Sequence, residues 1–142
     1  DGMQTRLMKV ARAEGLPFGH RDKTYNSRLA QELGKWAESK GKGKVYHDAV
    51  FRAYFADGKN IGKVAELAVL ARSLNLPEEE ARKVLEGRSF KELVDGDWQR
   101  SYRMGVQAVP TFLLNGQFLV GAVPYEAMEK LLIDGRVSKR QQ

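Results

Sequence analysis

Pro110, directly ahead of the apolar run Thr111-Phe112-Leu113-Leu114, is where this sequence offers the most chemistry. Two readings stand. In trans, Pro110 starts an edge strand, where its missing N–H does no harm. In cis, which costs only about 0.5–1 kcal/mol at an X-Pro bond, the backbone of Val109 turns outward. Its N–H and C=O are then free to receive an extended peptide as an added strand.

The other reactive side chains offer less. No cysteine occurs in the 142 residues, which removes disulfides, thiolate metal sites and a cysteine nucleophile from this chain. His20 and His47 are the only histidines and lack ligand-like spacing, so no metal site is expected. His47 falls on or beside an apolar helix face and reads as a hydrogen-bonded packing residue. Glu78, Glu79 and Glu80 follow Pro77. Metal or acid–base work is one reading of them; complementing a helix dipole is the simpler one. Gly41-Lys42-Gly43-Lys44 lacks the spacing of a phosphate-binding loop. These residues assign no catalytic group and imply no cofactor.

Composition sets the frame. Hydrophobic residues make up 42% and charged residues 30% of the chain, as in a soluble globular domain. No run of about 18 apolar residues is present, so no membrane span is expected. The opening segment lacks the apolar core of a signal peptide, which fits a cytoplasmic protein. The net charge is +6, but cations and acids are interspersed. Lys40, Lys42 and Lys44 read as a solvated loop, and nucleic acid is not an expected partner.

The elements that must position Pro110 are mostly helices. Residues 4–14 predict a first helix with Leu7, Met8, Val10 and Ala11 on one face, stopped by Gly15. Asn26 or Ser27 caps a second, whose stripe is Leu29, Leu33, Trp36 and Ala37. A third spans 44–56, with Val50, Phe51, Tyr54 and Phe55 read as core in preference to a cofactor pocket. Asn60 opens a fourth, apolar through Leu74. A fifth starts at Pro77 and ends at Gly87. A sixth covers 89–104, packing Phe90, Leu93, Val94 and Trp98, and stops at Gly105. Thr111–Leu114 and Gln117–Val120 flank Asn115-Gly116, a strong hairpin signal. Pro124 opens the last helix.

The block GVQAVPTFLLNGQFLVGAVPYEAMEKLL (105–132) resembles the C-terminal half of the thioredoxin fold. With YNSRLAQELGKWAESKG and DAVFRAYFADGKNIGKVAELAVLARSLNL, nearly the whole chain is similar to the DsbA-like thioredoxin family. The similar branch is the FrnE type, near 2-hydroxychromene-2-carboxylate isomerase and kappa-class glutathione transferase. The resemblance implies an α/β thioredoxin-like fold with an inserted helical domain at 1–104. Residues 105–142 would form the C-terminal thioredoxin half. It implies substrate docking by Val109, Pro110 and Thr111, with Asn26 and Arg28 as possible groove residues.

Members of this family begin with a strand, a C-x-x-C at a helix start and a second strand, and this chain has none of them. Asp1 falls about where the insert begins, so the chain is expected to be a cysteine-free fragment, inactive alone, of a thiol–disulfide oxidoreductase. Its substrate would be a thiol or disulfide protein. One alternative is a glutathione-dependent isomerase or transferase relative, with a glutathione-like substrate. Another is a non-enzymatic binding or dimerisation module. The coding sequence upstream of Asp1 separates them. The apolar edge Thr111–Leu114 is further expected to pair with a second copy.

Overall fold

A computed structural model describes residues 2–140. The helices are α1 (Gly2–Ala13), α2 (Arg28–Ser39), α3 (Gly43–Phe55), α4 (Val64–Ser73), α5 (Glu78–Glu86), α6 (Lys91–Arg103) and α7 (Tyr125–Asp134). The strands are β1 (Thr111–Leu114) and β2 (Gln117–Val120). Contacts divide the chain into two compact units, one running to Gly96 and the other from Asp97. The division therefore falls within α6, ahead of the Gly105 stop.

The first unit is held together by α2, α3, α4 and α5. Leu33, Trp36, Tyr46, Leu67, Ala71, Ala81 and Leu85 are buried in one cluster. They fall on helical stripes, as burial of one face per helix requires. Tyr46 carries its hydroxyl into that core and donates it to Ala30 O at 2.8 Å; burial pushes the phenol above its ordinary pKa.

Three expectations are corrected here. The first helix forms, but of its apolar face only Ala11 is buried, while Leu7, Met8 and Val10 are exposed. Of the aromatic face of α3, Val50 is buried and Tyr54 packs on the core, whereas Phe51 and Phe55 are exposed. The fourth helix starts at Val64 rather than Asn60. The Asn60 Oδ1 accepts the Gly62 N–H at 3.0 Å, an Asx turn that competes with helix nucleation. Ile61 is nevertheless buried.

The second unit contains an antiparallel hairpin in the register Thr111↔Val120, Phe112↔Leu119, Leu113↔Phe118 and Leu114↔Gln117. Asn115 and Gly116 both adopt positive φ, 49° and 79°, the geometry of the primed turn that matches strand twist. Phe112, Leu114 and Leu119 lie on one face and are half-buried. Leu114 lies against the C-terminal end of α7: a Cβ placed on Gly135 would fall 2.4 Å from Leu114 Cδ2. Gly135→Ala is expected to cost about 1–2 kcal/mol through overpacking. Faster hydrogen exchange of the Phe112 and Leu119 amides would measure it.

Candidate functional site

The candidate site of the second unit is built from the end of α6 and the start of β1. The N–H of Val106 donates to Ser101 O at 3.1 Å and that of Gly105 to Tyr102 O at 2.9 Å. With Gly105 at φ 82°, this is a Schellman motif, which ends a helix and turns the chain. The chain then runs into Val109-Pro110, whose peptide bond is cis. Two contacts hold the bend. Thr111 Oγ1 donates to Ala108 O at 2.5 Å, and the Gly121 N–H donates to Pro110 O at 2.8 Å.

That second bond sets the direction of the main chain. Opposed residues of an antiparallel pair alternate between bonded and non-bonded. Pro110 and Gly121 are a bonded pair, so Phe112 with Leu119 and Leu114 with Gln117 are bonded as well. Thr111 and Leu113 therefore turn their N–H and C=O groups away from β2. Val109, on the other side of the cis bond, is 88% exposed. Among the described residues, no hydrogen bond engages its N–H or C=O.

Beside Val109 lies a groove of about 720 Å³, lined chiefly by Trp98, Tyr102, Val106 and Ala108. Its walls are mostly apolar, and Gln99, Arg103 and Gln107 also line it. Trp98 and Tyr102 are four residues apart, so they share one face of α6. Trp98 is exposed, against the expectation that it packs; Leu93 is exposed likewise, while Val94 is buried. The readable signal was the i, i+4 aromatic spacing just ahead of the Gly105 stop.

Asn26 and Arg28 belong to the first unit, where the structure gives them local partners. Asn26 Oδ1 accepts the Arg28 N–H at 2.8 Å, opening α2. The Arg28 guanidinium donates to Glu32 Oε1 at 2.8 Å, Asp95 Oδ1 at 2.5 Å and Lys91 O at 2.9 Å. Arg88 reaches the same carboxylate, with Nε on Oε2 at 2.8 Å and Nη2 on Oε1 at 2.6 Å. Glu32 is fully buried. The Arg88 hydrogen bonds, reinforced by Arg28, hold its carboxyl below the usual glutamate value against the opposing effect of burial. Lys91 and then Arg28 hold Asp95 down in the same way. This network ties α2 to the α5–α6 connection and start of α6. Sequence reasoning found Arg28 but not Glu32 or Arg88.

The other candidates resolve simply. Glu78 pairs with Arg72 at 3.0 Å and Arg82 at 2.9 Å. Glu80 pairs with Lys40 at 2.6 Å and accepts the Trp36 indole N–H at 3.1 Å. His20 meets Asp22 at 3.0 Å and His47 meets Glu38 at 3.3 Å, both toward solvent. The exposed Phe51 and Phe55, with Tyr25, Tyr54 and His47, border a groove of about 440 Å³. Among the described residues, no cluster of three metal-ligating side chains occurs, and no helix is long and apolar enough to cross a membrane.

The uncharacterized protein YwbO of Bacillus subtilis (strain 168) is 30% identical over 112 residues, covering 78% of this chain and 56% of YwbO. A probable DsbA oxidoreductase from Streptomyces coelicolor has the same fold with a TM-score of 0.84 and 26% identity. That match covers 99% of this chain and 62% of the Streptomyces chain. A 2-hydroxychromene-2-carboxylate isomerase matches with a TM-score of 0.77 over 98% of this chain and 70% of its own; at 20% identity it shows the fold alone. The chain thus spans little more than half the length of the curated relative it matches. The family model described as the DSBA-like thioredoxin domain matches residues 1–133, and the chain belongs to that family.

Proposed function

We propose that this chain supplies the substrate-docking part of a thiol–disulfide oxidoreductase. The observation that carries the reading is the exposed Val109, whose N–H and C=O no hydrogen bond engages among the described residues, beside the apolar groove of Trp98 and Tyr102. An extended peptide from a thiol or disulfide protein pairs with the N–H and C=O of Val109 as an added strand. Its apolar side chains enter the groove. Exchange itself requires a thiolate attacker, and the 142 residues contain no cysteine. The attacking thiol therefore comes from outside this sequence, and the chain by itself docks without reacting. Pro110 and Thr111 hold the Val109 backbone in place through the Gly121 and Ala108 contacts. A cytoplasmic setting belongs to the same proposal, and fractionation of the native source tests it.

The test is binding of an extended, cysteine-bearing peptide, followed by fluorescence anisotropy. N-methylation of the peptide residue opposite Val109 is expected to weaken binding by up to about tenfold, the worth of one hydrogen bond. Tyr102→Ala is expected to weaken it by a similar factor through lost apolar contact. Val109→Ala retains binding, because the main chain carries the contact. Equal affinity for the methylated and unmethylated peptides would overturn this reading. Insulin reduction by the chain alone stays at background.

A second reading rests on the absence of cysteine: a binding module of this fold that presents the same groove without redox work. Addition of a separate dithiol-bearing thioredoxin-type partner distinguishes the two. Accelerated reduction of the docked peptide supports the first reading, and binding without acceleration supports the second. The isomerase or transferase alternative predicts that glutathione, rather than a peptide, competes for the groove.

A further inference from the structure

We propose that Asn115 is a site of spontaneous covalent modification, and that loss of its side-chain amide unlatches α7 from the hairpin. Four asparagines occur in the chain: Asn26 precedes Ser27, Asn60 precedes Ile61, Asn75 precedes Leu76 and Asn115 precedes Gly116. An asparagine side chain is attacked at Cγ by the main-chain nitrogen of the residue that follows it. A side chain on that residue hinders the approach, and glycine has none. Asn115 and Gly116 are both exposed, and a Cβ built on Gly116 would meet nothing within 4 Å. Among the described residues, no hydrogen bond engages the Gly116 N–H. That nitrogen is therefore open to deprotonation by solvent base.

The deprotonated Gly116 nitrogen forms a bond to Asn115 Cγ, and the side-chain nitrogen takes up a proton and leaves as ammonia. The product is a succinimide. Water then adds to one of the two ring carbonyls and breaks its C–N bond. Opening at the side-chain carbonyl gives aspartate. Opening at the main-chain carbonyl gives isoaspartate, in which the main chain runs through Cβ.

The position of Asn115 turns this chemistry into a structural event. Its Nδ2 donates to Gly135 O at 3.1 Å, and Gly135 caps the C-terminus of α7. The bond joins the hairpin turn to the end of that helix, where Leu114 lies against Gly135. Both products remove it. Aspartate sets a carboxylate, which only accepts, against a carbonyl that also accepts, and it does so at a helix C-terminus, where negative charge is unfavourable. Isoaspartate also adds a main-chain carbon to a two-residue turn whose geometry sets the hairpin register. Latch and reaction compete for one amide. Attack follows release of Nδ2 from Gly135 O, and each modified copy stays released.

Incubation of the full chain at mildly alkaline and mildly acidic pH, sampled over days by peptide mapping and mass spectrometry, tests the proposal. Replacement of –NH2 by –OH is expected at Asn115, faster at the alkaline pH, while Asn26, Asn60 and Asn75 stay intact. An isoaspartyl methyltransferase reads the isoaspartate. The Gly135 and Val137 amides close the end of α7, and in the modified chain they are expected to exchange with solvent about tenfold faster. The amides of α2 to α5 do not change. Asn115→Asp shows the faster exchange from the start. Asn115→Gln, whose longer side chain does not close a five-membered ring, keeps its amide. Conversion at Asn115 no faster than at Asn26 overturns the site, and conversion with unchanged exchange at Gly135 and Val137 overturns the latch. Should Asn115→Asp fail to fold, the aged wild-type chain still decides both.

Discussion

Replacing Glu32 with alanine is expected to lower the unfolding free energy of the first unit by about 3 kcal/mol, measured by urea denaturation. Breaking a buried ion pair by removing one partner typically costs about 3–5 kcal/mol, because the remaining charge is left uncompensated. The lower end applies here. Glu32 is fully buried, but the Arg88 side chain is 42% exposed and can be rehydrated. Arg28, with 16% of its side chain exposed, is the less easily rehydrated of the two, and its contacts to Asp95 and Lys91 O remain. Arg88 also has a left-handed φ of 53°, a conformation that disfavours a non-glycine residue, so losing Glu32 removes a contact that holds it there.

The same carboxylate gives the unit a signed response to acid. Glu32 titrates below its ordinary value of 4.5 in the folded state, chiefly through Arg88. A depressed folded pKa means that the unfolded state binds protons first as pH falls. The stabilisation is complete above about 4.5 and is lost as pH falls through the lowered folded value. Glu32→Gln is expected to flatten that part of the stability profile. A residual slope remains from Asp95, which Lys91 and Arg28 also depress. A Glu32→Gln profile with the wild-type slope would show that this carboxylate does not govern acid stability.

How much of this was legible in the sequence depends on the range of the interaction. The hairpin was readable because Asn115-Gly116 and the two apolar runs are local signals, and the observed register follows from a two-residue turn. The end of α6 was readable because Gly105 is a C′ glycine. The start of α4 was misread because the Asn60 side chain bonds to Gly62, a choice between turn and helix that helical periodicity does not reveal. Phe51 and Phe55 show a second limit. Apolar spacing identifies a helix face, not whether another element covers it. The Glu32 network shows a third. Arg28 and Glu32 stand at i, i+4 spacing, but Arg88 is 56 residues from Glu32, and nothing near it in sequence marks the pair. The sequence left Val109-Pro110 open between cis and trans, and the bond is cis; the groove beside it depends on the aromatic face of α6 ahead of the Schellman turn.

Leu33→Ala is expected to cost about 3–4 kcal/mol. Leu33 has no exposed surface and sits on α2, the helix that contacts α3, α4 and α5. Truncation loses the transfer free energy of the deleted carbons and leaves a cavity, together about 2–5 kcal/mol for leucine. The upper part of that range applies because several helices line the site, so no one of them can move in to fill the space without leaving another. Leu33→Met, which nearly conserves volume, is expected to cost less than about 1.5 kcal/mol. The chain has two tryptophans, and Trp98→Phe leaves Trp36 as sole reporter, one turn along α2 and buried beside Leu33 in the same cluster. In that background, Leu33→Ala should move the urea midpoint to lower concentration with an unchanged m-value. A loss below about 1 kcal/mol would mean that the core collapses around the deletion, and that the burial of α2 against three partners does not determine the stability of this unit.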